Sequence, residues 1–230
     1  MIVNNIKELA GVIDHTLLKP EATSGQIRRL CEEAKQYGFH TVCTNPRWTP
    51  LAADLLHDTQ VAVGGVVSLP LGADFTKIKV AQAKELIMAG ADEIDMVADI
   101  AAIIEGDEKY LSRQLEAVLK VCNSMRPKVL LKVIIEAAAL TREQKIFACQ
   151  IADKVGVDFV KTSTGMHRAG GATVEDVKLM KEYASHCGIK AAGGIRTAKQ
   201  ALEMLEAGAD RIGTSSSVQI IEQFEIGQIK

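Results

Sequence analysis

Gly156-Val-Asp-Phe-Val-Lys-Thr-Ser-Thr-Gly165 decides how this chain is read. A helix-stopping glycine leads into a short apolar strand, which ends on a lysine and a loop of small hydroxyl residues. The spacing recurs. Four times a glycine precedes a strand residue of interest by five positions: Gly38 and Cys43, Gly90 and Asp95, Gly156 and Lys161, Gly208 and Gly213. Strand side chains alternate, so the residue before each of these, Val42, Ile94, Val160 or Ile212, points the other way. All four are β-branched and apolar, as a layer packed under helices requires. The fifth-position residues then face the interior of a barrel near its C-terminal mouth, the end that carries chemistry in such folds.

The rest of the chain extends this unit. Strands are expected over Gly11–Thr16, Thr41–Cys43, Val61–Leu69, Glu93–Val97, Val129–Ile135, the Lys161 segment, Ile189–Ala192 and Arg211–Gly213. Helical spacing follows each, as in Ile27, Leu30, Cys31 and Ala34, or the helix opened by Thr141-Arg-Glu-Gln144. Strands followed by helices at intervals of roughly 20–40 residues fit successive βα units. The expected fold class is α/β: a TIM (β/α)8 barrel with a short extra N-terminal helix over Asn4–Ala10, filling 1–230 as a single domain. An open doubly wound sheet is the competing architecture, since a run of βα units does not by itself close a barrel.

Composition narrows the partners. The chain has 230 residues, 47% of them apolar, and a net charge of −2, so no basic excess marks it for nucleic acid or a membrane surface. No apolar run is long enough to span a bilayer, and the start Met-Ile-Val-Asn-Asn-Ile-Lys-Glu8 is too polar for a secretory signal. Cys31, Cys43, Cys122, Cys149 and Cys187 are an odd set with no C-x-x-C pair. They read as reduced thiols of a cytoplasmic protein, not as disulfides or zinc ligands. His15, His40, His57, His167 and His186 show no metal-ligand spacing and read as surface or packing residues, as Trp48 reads as packing. No metal and no cofactor is expected.

Alternation collects charge on the inner face. Lys132 and Glu136 share it, while Val133 and Ile135 take the other. Lys161 and Lys190 lie on consecutive strands, and Asp95 offers a carboxylate across the same space. Burial behind Phe159 and Val160 disfavours the ammonium form of Lys161, and a second ammonium beside it acts in the same direction. A neutral amine, a charged lysine and a carboxylate suit carbonyl chemistry through a Schiff base. Taken singly, each lysine is better explained by structural pairing with Asp95, Glu136 or Glu93. Three inward cations on neighbouring strands are costly to bury without a role. Spacing alone does not choose Lys161 over Lys190 or Lys132.

Two later loops suit an anion. Ala192-Gly193-Gly194-Ile195-Arg196-Thr197 follows the seventh strand and Gly213-Thr214-Ser215-Ser216-Ser217 the eighth, each opening a helix. Glycines let a ligand approach the backbone, helix N-termini aim N–H groups outward, and hydroxyls add donors. The candidate phosphate set is Thr164, Gly165, Gly193, Gly194, Arg196, Gly213, Ser215 and Ser216, with Arg196 equally at home on the surface. Asp14, Thr16, Cys43 and Lys132 are candidates to line the pocket.

Ile-Asp-His-Thr-Leu-Leu-Lys-Pro (13–20), Cys-Thr-Asn-Pro (43–46), Gly-Ala-Asp-Glu-Ile-Asp-Met-Val (90–97), Leu-Lys-Val-Ile-Ile-Glu (131–136), Phe-Val-Lys-Thr-Ser-Thr-Gly (159–165) and Lys-Ala-Ala-Gly-Gly-Ile-Arg-Thr (190–197) resemble the deoxyribose-phosphate aldolase family, in order and over nearly the whole chain. The resemblance implies a metal-independent class I aldolase on a TIM barrel. It would cleave 2-deoxy-D-ribose 5-phosphate reversibly to D-glyceraldehyde 3-phosphate and acetaldehyde. It further implies that Lys161 forms the Schiff base, Lys190 lowers its pKa, Asp95 works with a water in proton transfer, and the glycine and serine loops hold the phosphate. Small-molecule phosphosugar and aldehyde partners follow, and a homo-oligomer, dimer or tetramer, is expected. This sequence departs from the pattern at Thr44, where valine is usual, and in Met166-His167-Arg168, where the loop is commonly shorter and small. It departs also at Asp99-Ile-Ala-Ala102, where Asn-Ile-Gly-Ala is common, and it ends Gly227-Gln-Ile-Lys230, without the tyrosine tail of some longer members. The rival readings are another phosphosugar barrel enzyme, transaldolase-like or an isomerase, and a catalytically silent barrel that binds a phosphorylated metabolite or a protein.

Overall fold

The computed structural model describes residues 3–125 and 127–228; residues 1–2, Arg126 and residues 229–230, within the polar start and the tail end noted above, lie outside the described residues. α1 (Ile6–Ala10) precedes β1 (Ile13–Leu17), and α2 (Ser24–Tyr37) leads to β2 (Thr41–Thr44). A 3-10 turn over Pro46–Trp48 and α3 (Thr49–Leu56) follow, then β3 (Ala62–Val67), α4 (Thr76–Met88) and β4 (Glu93–Val97). After α5 (Ile100–Glu105) and α6 (Glu108–Asn123) come β5 (Leu130–Ile134), α7 (Arg142–Val155), β6 (Phe159–Lys161) and α8 (Val174–Tyr183). β7 (Gly188–Ala192), α9 (Ala198–Glu206), β8 (Arg211–Thr214) and α10 (Ser217–Gln228) complete the order.

All the strands are parallel, and they close in sequence order, with β1 pairing β8 through Ile13 opposite Ile212 and Asp14 opposite Gly213. Closure rejects the open doubly wound sheet. The glycine repeat behaves as its spacing requires: Gly38, Gly90, Gly156 and Gly208 have φ of 72°, 95°, 80° and 113°, turning the chain out of each helix toward the next strand. Val42, Ile94, Val160 and Ile212 are fully buried between strands and helices. Each such side chain contributes about 1.5–3 kcal/mol of hydrophobic stabilisation. Thr23, Thr141 and Thr197 start α2, α7 and α9, each accepting from a backbone N–H while a glutamine three residues on reaches back.

Two local expectations are corrected. The third strand stops at Val67 and not at Leu69, because Ser68 takes φ of 56°, outside the extended region. The helix expected from Asn45-Pro46 to Leu56 is broken in two. Pro50 sits in the first turn of α3, where a missing N–H is tolerated, so a new helix begins at Thr49.

Candidate active site

Parallel register sets Asp95 opposite Lys132, Lys161 opposite Lys190, and Lys190 opposite Arg211 around the barrel interior. The side chains meet on Asp95. Its Oδ2 accepts from Lys161 Nζ and from Lys190 Nζ, each at 2.7 Å, and its Oδ1 accepts from Lys132 Nζ at 2.9 Å. Lys190 also pairs with Asp14. Below them Lys132 reaches Glu93 at 2.5 Å, and Arg211 joins Asp14 at 2.7 Å to Glu93 at 3.2 Å. Thr41 accepts from Arg211 at 3.0 Å and donates to Glu93 at 2.9 Å.

This buried cluster holds four basic side chains, Lys132, Lys161, Lys190 and Arg211, against three carboxylates, Asp14, Glu93 and Asp95. Fully ionised, it carries one surplus positive charge in a dry interior; it becomes neutral when one amine gives up its proton. Lys161 is the amine placed to do so. Burial pushes its pKa below the ordinary lysine value, Asp95 opposes this, and the Lys190 ammonium adds to the fall. Burial acts on Lys190 too, but Asp14 and Asp95 outweigh it and leave its pKa raised. Lys132, between Asp95, Glu93 and Asp14, is raised well above the ordinary value despite its burial. Burial would raise Asp95, yet Lys132, Lys161 and Lys190 hold it far below the usual carboxylate range.

Above the cluster opens a pocket of about 420 Å³ with Lys161 in its wall, beside Thr16, Thr164, Gly165, Gly193, Gly194, Arg196, Gly213 and Ser215. The N–H groups of Gly194 and Ser215 donate to no acceptor among the described residues. A side chain at Gly194 would meet nothing within 4 Å, so its backbone is open to a ligand. Other glycines serve the framework. A Cβ at Gly171 would lie 2.2 Å from the carbonyl oxygen of Gly193, so the loops after β6 and β7 touch backbone to backbone. A Cβ at Gly213 would lie 3.0 Å from Cε of Lys190, so this glycine makes room for the lysine as well as lining the pocket. Thr164 is held from behind: its hydroxyl donates to Glu136 at 2.6 Å, a residue in the left-handed region with φ of 53°.

Several expected positions change. Asp14 and Lys132 do not line the pocket; they lie beneath it, consumed in ion pairs, because their strand positions are deeper along the barrel axis. Cys43 is buried near the charged cluster and does not line the pocket, and burial first, then the Asp95 charge, pushes its thiol up to about 11. Ser216 faces a neighbouring groove between α2 and α10, and Arg196 stands exposed at the rim. Glu93 and Arg211 carry more of the cluster than their sequence reading suggested, and the signal was present: each lies two residues before an inward-facing position, Asp95 and Gly213. Lys19, also at the rim, had no such signal, since it lies in a loop.

Known proteins resemble this chain in sequence and in fold. The chain is 52% identical over 221 residues to a deoxyribose-phosphate aldolase of Aciduliprofundum boonei, covering 96% of this chain and 98% of that one. It is 52% identical over 218 residues to a deoxyribose-phosphate aldolase of Thermococcus gammatolerans, covering 94% and 96%. Among solved structures it superposes on the tetrameric deoxyribose phosphate aldolase of Aeropyrum pernix with a TM-score of 0.89 at 32% identity, over 96% of this chain and 92% of that one. The sequence model for the DeoC/LacD family aldolases matches residues 9–221, and to that family this chain belongs.

Proposed function

We propose that the protein is a deoxyribose-phosphate aldolase that works through a Schiff base on Lys161, without a metal, as a single barrel domain. One observation carries the reading: a pocket-wall amine lies 2.7 Å from a carboxylate oxygen that it shares with a second, more strongly paired lysine. The neutral amine of Lys161 attacks C1 of the open-chain sugar aldehyde. Loss of water leaves an iminium. The iminium withdraws electrons as the C3 hydroxyl loses its proton and the C2–C3 bond breaks, releasing D-glyceraldehyde 3-phosphate. Protonation of the remaining enamine at C2 and hydrolysis then return acetaldehyde and the free lysine. Lys190 stays charged and keeps Lys161 neutral, and Asp95 orients both amines and serves proton transfer through water. The N–H groups of Gly194 and Ser215, with Thr164, Gly165, Gly193, Gly213 and Arg196 around them, form the phosphate end.

The enzyme acts in the cytoplasm, in keeping with five buried, unpaired thiols, and as a homo-oligomer. Reduction with borohydride in the presence of acetaldehyde tests the assignment. A two-carbon adduct on Lys161, located by peptide mass, is the expected result. An unmodified protein, or an adduct only on Lys132 or Lys190, refutes it.

A further inference from the structure

His15 takes no part in the chemistry above, yet it joins three elements. It lies in β1 between Asp14 and Thr16, so it points away from the barrel interior, and it is buried against Phe39. Its Nδ1 lies 2.9 Å from the Ser217 hydroxyl and its Nε2 3.0 Å from Glu33 in α2. Glu33 is also ion-paired with Arg29 at 2.7 Å. A carboxylate only accepts, so Nε2 carries the imidazole proton, and Nδ1 at 2.9 Å is the nearer acceptor for the Ser217 hydroxyl, whose other acceptor, the Thr214 carbonyl, lies at 3.3 Å. Serine, histidine and glutamate in this order also make nucleophilic triads, but Ser217 is fully buried, so here the bond holds the chain in place.

What it holds is the loop after β8. Ser217 is the first residue of α10, directly after Ser215 and Ser216. The N–H of Ser216 donates to the Thr214 hydroxyl at 2.9 Å, and that hydroxyl donates to the Ile195 carbonyl at 2.7 Å, in the loop after β7. Both anion loops are thus tied through Thr214 and Ser217 to His15 on β1. We propose that His15 is a positioning residue for the anion-binding end of the pocket, and that through Ser217 it sets the preference for a phosphorylated over an unphosphorylated sugar. This rests on the aldolase reading above.

The test measures kcat and KM for 2-deoxyribose 5-phosphate and for 2-deoxyribose in the full chain and in His15→Leu, His15→Asn, Ser217→Ala and the Leu/Ala double variant. His15→Leu and Ser217→Ala are expected to lower the ratio of kcat/KM for the two sugars about tenfold, mainly through KM of the phosphorylated one. The double variant should be no worse than His15→Leu alone, because the His15–Ser217 bond is already lost in it. Asparagine retains an acceptor near the Nδ1 position and should restore most of the ratio. Ser217→Ala removes a single oxygen and carries the test should leucine at position 15 prevent folding. An unchanged ratio, or an equal loss on both sugars, overturns the proposal. The acetaldehyde adduct does not involve phosphate: if it forms on Lys161 while the ratio is unmoved, only the role of His15 falls.

Discussion

Replacing Lys190 by methionine removes the charge that keeps Lys161 neutral while retaining most of the side-chain volume. Both amines lie 2.7 Å from one Asp95 oxygen, which sets them roughly 4–5 Å apart, given the usual spread of donors about a carboxylate oxygen. At an effective dielectric of about 20, two positive charges at that distance repel by about 3–4 kcal/mol. That is on the order of 100- to 1000-fold in the balance between the charged and the neutral amine of Lys161. The charge count moves the same way. With Lys190 gone, Lys132, Lys161 and Arg211 balance Asp14, Glu93 and Asp95, so no surplus charge favours loss of the Lys161 proton. Activity needs the neutral amine, so it falls as pH drops through the Lys161 pKa, and a raised pKa moves this acidic limb upward. Coupled detection of glyceraldehyde 3-phosphate should show turnover at neutral pH reduced roughly 100-fold or more, with much of it recovered as the pH is raised and the amine deprotonates again. A loss of the same size at every pH would show that Lys190 acts by some route other than the charge on Lys161. Turnover within about twofold of the unaltered protein would refute the reasoning outright.

Two further substitutions probe the frame around the amine. Gly213→Ala places a methyl 3.0 Å from Cε of Lys190 and 3.0 Å from Cβ of Ala192; the overpacking costs about 1–3 kcal/mol. Because Lys190 must shift, kcat/KM should fall more than the melting temperature suggests, and a normal kcat/KM would show that the lysine has room to spare. Arg211→Met strips Asp14 and Glu93 of the guanidinium that joins them and should cost about 3–5 kcal/mol of stability, as removal of one member of a buried ion cluster does. Urea unfolding measures it, and a midpoint within error of the unaltered protein would mean that Lys132 and Lys190 suffice.

Legibility in the sequence followed the range of the physics. Glycines that end helices and β-branched residues that alternate with polar ones act within a few positions, so the succession of strands and helices, the inward faces and the neighbourhood of Lys161 and Lys190 are legible along the chain. The break at Pro50 and the end of β3 at Ser68 were missed because each depends on one residue's backbone angle against an otherwise favourable pattern. Alternation gives the face of a strand but not the depth along the barrel axis, so it marks Asp14 and Lys132 for the pocket although they lie beneath it.

By itself the sequence determined the repeating βα unit, the charged inner face and the glycine and hydroxyl loops, since these are local patterns of spacing and side-chain type. Only the tertiary structure decided that β1 meets β8, that Lys161 rather than Lys190 or Lys132 opens on the pocket, and that His15 finds Ser217, 202 positions away. Those outcomes depend on the stagger between strands distant in the chain, and on which opposite charges burial brings within reach of one another.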